Sequence, residues 1–132
     1  MIHTLPIRIY WEDTDAGGIV YHASYLRFME RGRTELLRAA GIHQGTLQAE
    51  QGVTFVVRRM AIDFRAPARL DDEVIVETEV GTLGGASLTL MQRVLRGGAV
   101  LVEAEVSCAV LGAGGRPVRL PPAVRALLAG PA

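Results

Sequence analysis

The sequence predicts an α+β domain in which an antiparallel sheet carries one long helix, and three observations lead there. Apolar residues fall at sustained helical spacing in one long stretch, from about Ala23 to Ala40. Stretches of period-two alternation precede it once and follow it several times. The later stretches are joined mainly by short turns, whereas parallel strands would need long crossovers. With 132 residues, 49% of them hydrophobic, the chain reads as one domain over 1–132 that can bury a core without disulfides or metals.

Leu5, Ile7, Ile9 and Trp11 alternate with Pro6, Arg8, Tyr10 and Glu12, which predicts a half-buried strand reaching Trp11. Asp13, Asp15 and Gly17-Gly18 then suit a turn, because short carboxylates bond nearby amides and glycine bends freely. In the helix, Tyr25, Phe28, Met29, Gly32, Leu36 and Ala40 share one face. Arg27, Glu30, Arg31, Arg33, Glu35 and Arg38 lie mostly on the other, where Arg31–Glu35 and Glu30–Arg33 are spaced to pair. Gly41 closes the helix. Gly32 inside the apolar stripe weakens helix propensity, so close approach of a sheet is expected there.

Residues 42–52 read as a loop with a short helical turn. In the strand that follows, apolar parity switches from Val53, Phe55 and Val57 to Met60, Ile62 and Phe64. A period of two changes phase only at an irregularity, so a β-bulge is expected near Arg58-Arg59. Residues 66–72 form a connection. Val74, Val76 and Val80 mark the next strand, and a turn is expected over Gly81–Gly85. Leu88, Leu90 and Val94 lead to Gly97-Gly98, a two-residue hairpin signal. Val100 through Val110 alternate again, and residues 123–129 suit a short helix.

Acidic and basic residues number 14 each, leaving no net field to attract nucleic acid or an anionic membrane surface. Every basic residue is Arg, which excludes a catalytic or Schiff-base lysine. Cys108 is alone in an alternating run and reads as a small core residue in a reducing compartment. Met1–Pro6 lacks the features of a signal peptide, and no apolar run approaches membrane-spanning length. A cytoplasmic protein without an integral membrane segment is expected.

The chemistry concentrates in Asp13–Tyr25, an acidic loop running into the helix. Unpaired amides at a helix start can stabilise an oxyanion, and a nearby carboxylate can act as base or nucleophile. From the residues alone, Asp13 and Asp15 can equally shape the turn. A calcium loop beginning at Asp13 would place Ser24 where a bidentate Glu is needed, and His3, His22, His43 and Cys108 are too dispersed for zinc, so no metal is expected. Ser24 is a candidate helix cap. Glu30 lies two turns beyond His22, where it can orient groups, serve as a second carboxylate or pair with Arg33. No phosphate-binding loop is present, leaving Arg58, Arg59, Arg65, Arg69, Arg93 and Arg96 as guanidinium candidates for phosphate.

Tyr10 through Tyr25 running on to Met29-Glu30-Arg31-Gly32-Arg33-Thr34-Glu35, with Phe55–Met60 and Ala66–Asp72, resembles the hotdog-fold acyl-CoA thioesterases. The branch it resembles is Tol-Pal-associated and related to 4-hydroxybenzoyl-CoA thioesterase, though Tyr21-His22 departs from the aromatic pair of the 4-hydroxybenzoyl enzyme. The resemblance covers residues 5–122. It implies a curved antiparallel sheet wrapped around the long helix, subunits joined into a larger sheet, and sites at their interface. It assigns the catalytic carboxylate to Asp15 and the oxyanion donor to the His22 backbone N–H. Tyr21, Glu30, Arg58 and Arg59 are the further candidates for contact with substrate or coenzyme A.

The expected reaction is hydrolysis of an acyl-CoA by Asp15, acting as nucleophile or general base. It uses no cofactor, since coenzyme A belongs to the substrate. A homodimer or homotetramer is expected, with an acyl carrier protein as a further candidate partner. The alternatives are a non-catalytic acyl-CoA or carrier-protein binding module and a structural partner in an envelope or lipid-synthesis complex.

Overall fold

Residues 1–130 are described by a computed structural model, whose chain opens with strand β1 (Ile2–Arg8) and a 3-10 turn at Trp11–Asp13. Helix α1 (His22–Ala39) and the short α2 (Gln44–Gln51) follow. Strands β2 (Thr54–Phe64), β3 (Glu73–Leu83), β4 (Ser87–Arg96) and β5 (Ala99–Leu111) then lead to α3 (Pro122–Ala129). The strands form one five-stranded antiparallel sheet in the order β1-β3-β4-β5-β2, curved around α1. β1 and β2 are therefore its two edges.

The core lies between α1 and the sheet. Phe28, Met29 and Leu36 from the helix meet Val74, Val76, Val94, Val102 and Val106 from the strands, all 1% exposed or less. The helix sits closest at Gly32, as its place in the stripe predicts. A Cβ there would stand 2.7 Å from Val76 Cγ1 and 2.8 Å from Thr78 Oγ1. Fully buried Gln92 ties the two layers together. Its Nε2 donates to the Met29 carbonyl and to the Thr78 hydroxyl, both at 2.9 Å, while its Oε1 accepts from Arg33 Nη1 at 3.0 Å.

That last bond changes the helix surface. Arg33 does not lie on the solvent face but is half-buried, and burial pushes its pKa down. The two expected helix ion pairs do not form among the described residues. Glu30 accepts from the Thr34 hydroxyl at 3.0 Å, and Glu35 pairs with Arg38 at 3.6 Å.

β1 also stops earlier than its alternation suggests. After Arg8 the chain leaves the sheet: Ile9 exchanges backbone bonds with Asp71 and Asp72, and Trp11 enters the 3-10 turn 79% exposed. β3 runs on through Gly81 to Leu83, because the Thr82 amide finds the Thr89 hydroxyl at 2.8 Å instead of turning away. The 42–52 segment is more ordered than expected, since α2 anchors itself through buried Leu47 and ends at left-handed Gly52.

Two local expectations are met in detail. Gly97 and Gly98 both have positive φ, as a tight β4–β5 hairpin requires. In β2 the register against β5 shifts between Val57 and Arg59, leaving Arg58 as the extra residue of a bulge.

The tight seat at residue 32 yields a test. Val76 and Thr78 are β-branched and fixed in a central strand, so Gly32→Ala should destabilise the fold by about 1–3 kcal/mol. Denaturant unfolding measures this, and an unchanged midpoint would refute the close contact.

Candidate active site

The acidic loop is built by two aspartates with different surroundings. Asp13 is 7% exposed, and its Oδ2 accepts the Tyr10 amide at 2.8 Å. Its carbonyl accepts the Tyr21 amide at 2.9 Å and the Ser24 hydroxyl at 3.3 Å. One residue thus fastens the 3-10 turn to the start of α1. Ser24 does not cap the helix: it lies inside the first turn, receives Arg27 Nη2 at 3.0 Å and is consumed by this clasp.

Asp15 instead is exposed. Its Oδ1 accepts the Gly17 amide at 2.8 Å, and its Oδ2 has no hydrogen-bond partner among the described residues. Backbone bonds from Asp15 to Ile19 and from Gly18 to Asp15 close the loop beneath it. Val20 donates to the Ala68 carbonyl at 2.9 Å, and the Ala68 amide donates to the Tyr25 hydroxyl at 3.0 Å. Burial raises the Tyr25 pKa, keeping that hydroxyl protonated. The carboxylate therefore projects from a frame that is itself hydrogen-bonded on both sides.

α1 starts at His22 behind Tyr21, whose side chain makes no capping bond. The His22 and Ala23 amides have no acceptor among the described residues, whereas the Ser24 amide is taken by the Tyr21 carbonyl at 2.8 Å. Unpaired first-turn amides carry the positive end of the helix dipole and suit an anion or a developing oxyanion. The exposed His22 ring lies 4.7 Å from that of Tyr21 at a tilt of 58°, and meets Phe64 edge-to-face at 6.1 Å.

Two cavities flank this loop. One of about 230 Å³ is lined by Ile19, Val20, His22, Tyr25, Phe64 and Arg65. The other, of about 720 Å³, is lined by Asp15, Trp11, Glu12, Gly18 and Leu70. Consecutive residues 18 and 19 thus line different cavities.

Other candidates lie elsewhere. Glu30 is eight residues beyond His22, about 12 Å along the helix, in a third cavity of about 190 Å³ with Arg33, Phe55, Val57 and Cys108. Burial raises the pKa of the Cys108 thiol, consistent with a core residue rather than a nucleophile. Arg58 and Arg59 stand exposed midway along β2, Arg59 being five residues or roughly 17 Å from Phe64. One chain therefore carries Asp15, Tyr21 and His22 on the same loop and helix start and leaves Glu30, Arg58 and Arg59 apart from them.

Ion pairs narrow the guanidinium candidates. Arg65 pairs with Glu103 at 2.6 Å, Arg93 with Glu77 at 2.5 Å and Arg96 with Asp72 at 2.7 Å. Arg58, Arg59 and Arg69 have no acidic partner among the described residues. No group of three or more His, Cys, Asp or Glu side chains is arranged for a metal among them either. Sequence reading overlooked Trp11 and Leu70 beside Asp15. Apolar parity had assigned Trp11 to a core face that the chain has already left.

A sheet curved around one helix, with a carboxylate loop at that helix's start, defines a hotdog domain of the thioesterase type. Residues 9–128 match the model of the Thioesterase-like superfamily, and the chain belongs to that family. It is similar to the acyl-CoA thioesterase YbgC of Haemophilus influenzae, 48% identical over 124 residues, covering 93% of this chain and 91% of that one. The acyl-CoA thioester hydrolase YbgC of Escherichia coli is 52% identical over 102 residues, 76% of this chain and 75% of its own. The solved structure of a probable thioesterase from Bartonella henselae superposes with a TM-score of 0.87 at 40% identity, covering 92% of this chain and all of that one.

The two aspartates should separate experimentally. Replacing Asp13 by Ala removes a part-buried, charge-assisted bond to the Tyr10 amide and should cost about 1–3 kcal/mol of stability. A denaturant midpoint equal to the parent's would show that the clasp does not hold the loop.

Proposed function

We propose that this chain hydrolyses acyl-CoA thioesters at the junction between the Asp15 loop and α1. The observation that carries this reading is an exposed carboxylate with one unpaired oxygen beside a helix start whose first two amides are unpaired. Similarity to acyl-CoA thioesterases over most of the chain supports the substrate class.

The thioester carbonyl oxygen accepts the His22 N–H, which stabilises negative charge as the carbon becomes tetrahedral. Asp15 then acts in one of two ways. By direct attack it forms an acyl–aspartyl anhydride as the C–S bond breaks, and water cleaves the anhydride to the free acid. As a general base it takes a proton from the attacking water, and the departing thiolate is protonated in turn. Neither route calls on a metal or a cofactor, and coenzyme A enters only as part of the substrate.

Asp15→Asn should lower kcat by about 10²–10⁴ without moving the melting temperature. Turnover at the parent rate would remove Asp15 from the mechanism. In single turnover in ¹⁸O water, label appearing first in Asp15 rather than directly in the acid identifies the anhydride route. A thiol-release assay across short, long, branched and aromatic acyl-CoAs defines the acyl preference. Saturable binding without thiol release would instead identify a binding module.

The working unit is a dimer through the free edge of β2. That edge is 11 residues long and leaves Val56, Val57 and Phe64 between 38% and 50% exposed, a surface that invites another strand. Antiparallel pairing about a two-fold axis near mid-strand sets the Thr54–Val57 end of one copy against the Phe64 end of the other and keeps Arg58 and Arg59 at the axis. Glu30, whose cavity is lined by Phe55 and Val57, would thereby approach the Phe64 and His22 side of its mate. Val57→Glu places a charge in that contact and should halve the mass seen by sedimentation. An unchanged mass would exclude β2 as the interface.

A further inference from the structure

We propose that Trp11 is the platform on which the pantetheine arm of the substrate lies; this rests on the assignment of Asp15 to the reaction. Trp11 is the single tryptophan of the chain, and it is 79% exposed although its strand alternation would place it inward. Its backbone is held firmly. The Trp11 carbonyl accepts the Thr14 hydroxyl at 2.8 Å and the Thr14 amide at 3.2 Å, so the turn that presents the indole also leads into Asp15. A large aromatic surface displayed on a braced turn suits contact with a ligand.

The chemistry of the cavity selects which part of the substrate it meets. Trp11 shares the space of about 720 Å³ with Asp15, Glu12 and Leu70. Two carboxylates and no arginine line it, which repels the phosphates of coenzyme A. Gly18 lines this cavity and Ile19 lines the smaller, largely apolar one, with Val20, His22, Tyr25, Phe64 and Arg65. An acyl group fits that apolar side, where Arg65 is already paired with Glu103. The thioester then lies at the Gly18-Ile19 loop, and the neutral arm beyond sulphur, alternating methylenes with amides, runs over the indole face and Leu70.

The arm is common to coenzyme A and to carrier proteins, and coenzyme A is the donor assigned. One acyl group carried on coenzyme A, on pantetheine and on N-acetylcysteamine tests the assignment. Trp11→Ala should raise KM about tenfold for the first two and leave the truncated ester within about twofold, while Trp11→Phe restores most of the loss. Equal shifts for all three esters, or none, would overturn the proposal. A shift confined to a carrier-protein thioester would overturn the choice of donor.

Trp11 emission gives a readout independent of turnover. Acrylamide should quench it readily in the ligand-free protein, and saturating acyl-CoA should shield it in the Asp15→Asn variant. Quenching unchanged by ligand would refute the contact. Failure of the Asp15 assignment appears separately, as parental turnover by Asp15→Asn.

Discussion

The structure depends on how closely α1 can lie against the sheet at Gly32. With no side chain at that position, the helix backbone settles onto Val76 and Thr78, and Gln92 spans the gap with bonds to a helix carbonyl and a strand hydroxyl. Apolar contact alone would hold the helix at a range of rotations. The Gln92 amide narrows that range, because a buried amide shifted out of register would lose partners it cannot replace with water. The position of the helix start, and with it the site, follows from this anchoring half a helix away.

At the helix start, division of labour between two neighbouring carboxylates makes the chemistry available. Asp13 is engaged through both its side chain and its carbonyl, so the loop does not rely on the Asp15 side chain for its shape beyond one turn bond. A group that is both structural anchor and reactant must change its bonding as charge develops. Here the anchoring is assigned elsewhere, and Asp15 keeps an oxygen free. The helix start is likewise left without a side-chain cap, and the His22 and Ala23 amides have no acceptor among the described residues.

Much of this was legible in the sequence because hydrophobic period reports directly on burial. The long helix, the close approach at Gly32, the Gly97-Gly98 hairpin and the phase change at Arg58 all emerged from spacing. The loop also announced itself, since two aspartates and two glycines before an amphipathic helix leave few structural alternatives. What was missed arose where tertiary bonds override pattern. Trp11 continued an apolar alternation, but the Asp13 clasp ends the strand first. Arg33 looked like a surface residue because its partner Gln92 is 59 positions away. Thr78 and Gln92 sat at inward positions of their strands, disguised by polar side chains that only make sense together. Glu30, Arg58 and Arg59 lie apart from Asp15 in the single chain, a separation that spacing along the sequence does not report.

The bulge at Arg58 also constrains how this chain can change over time. Val57 pairs with Cys108 and Arg59 with Ser107, so one surplus residue keeps both halves of β2 in step with β5. Side chains along an exposed edge tolerate replacement. Loss or gain of a residue away from the bulge does not have that freedom, since it would put part of the strand out of phase with β5. β2 is thus a segment whose length is constrained more tightly than its composition, and the neighbouring loops are where insertions can be accommodated.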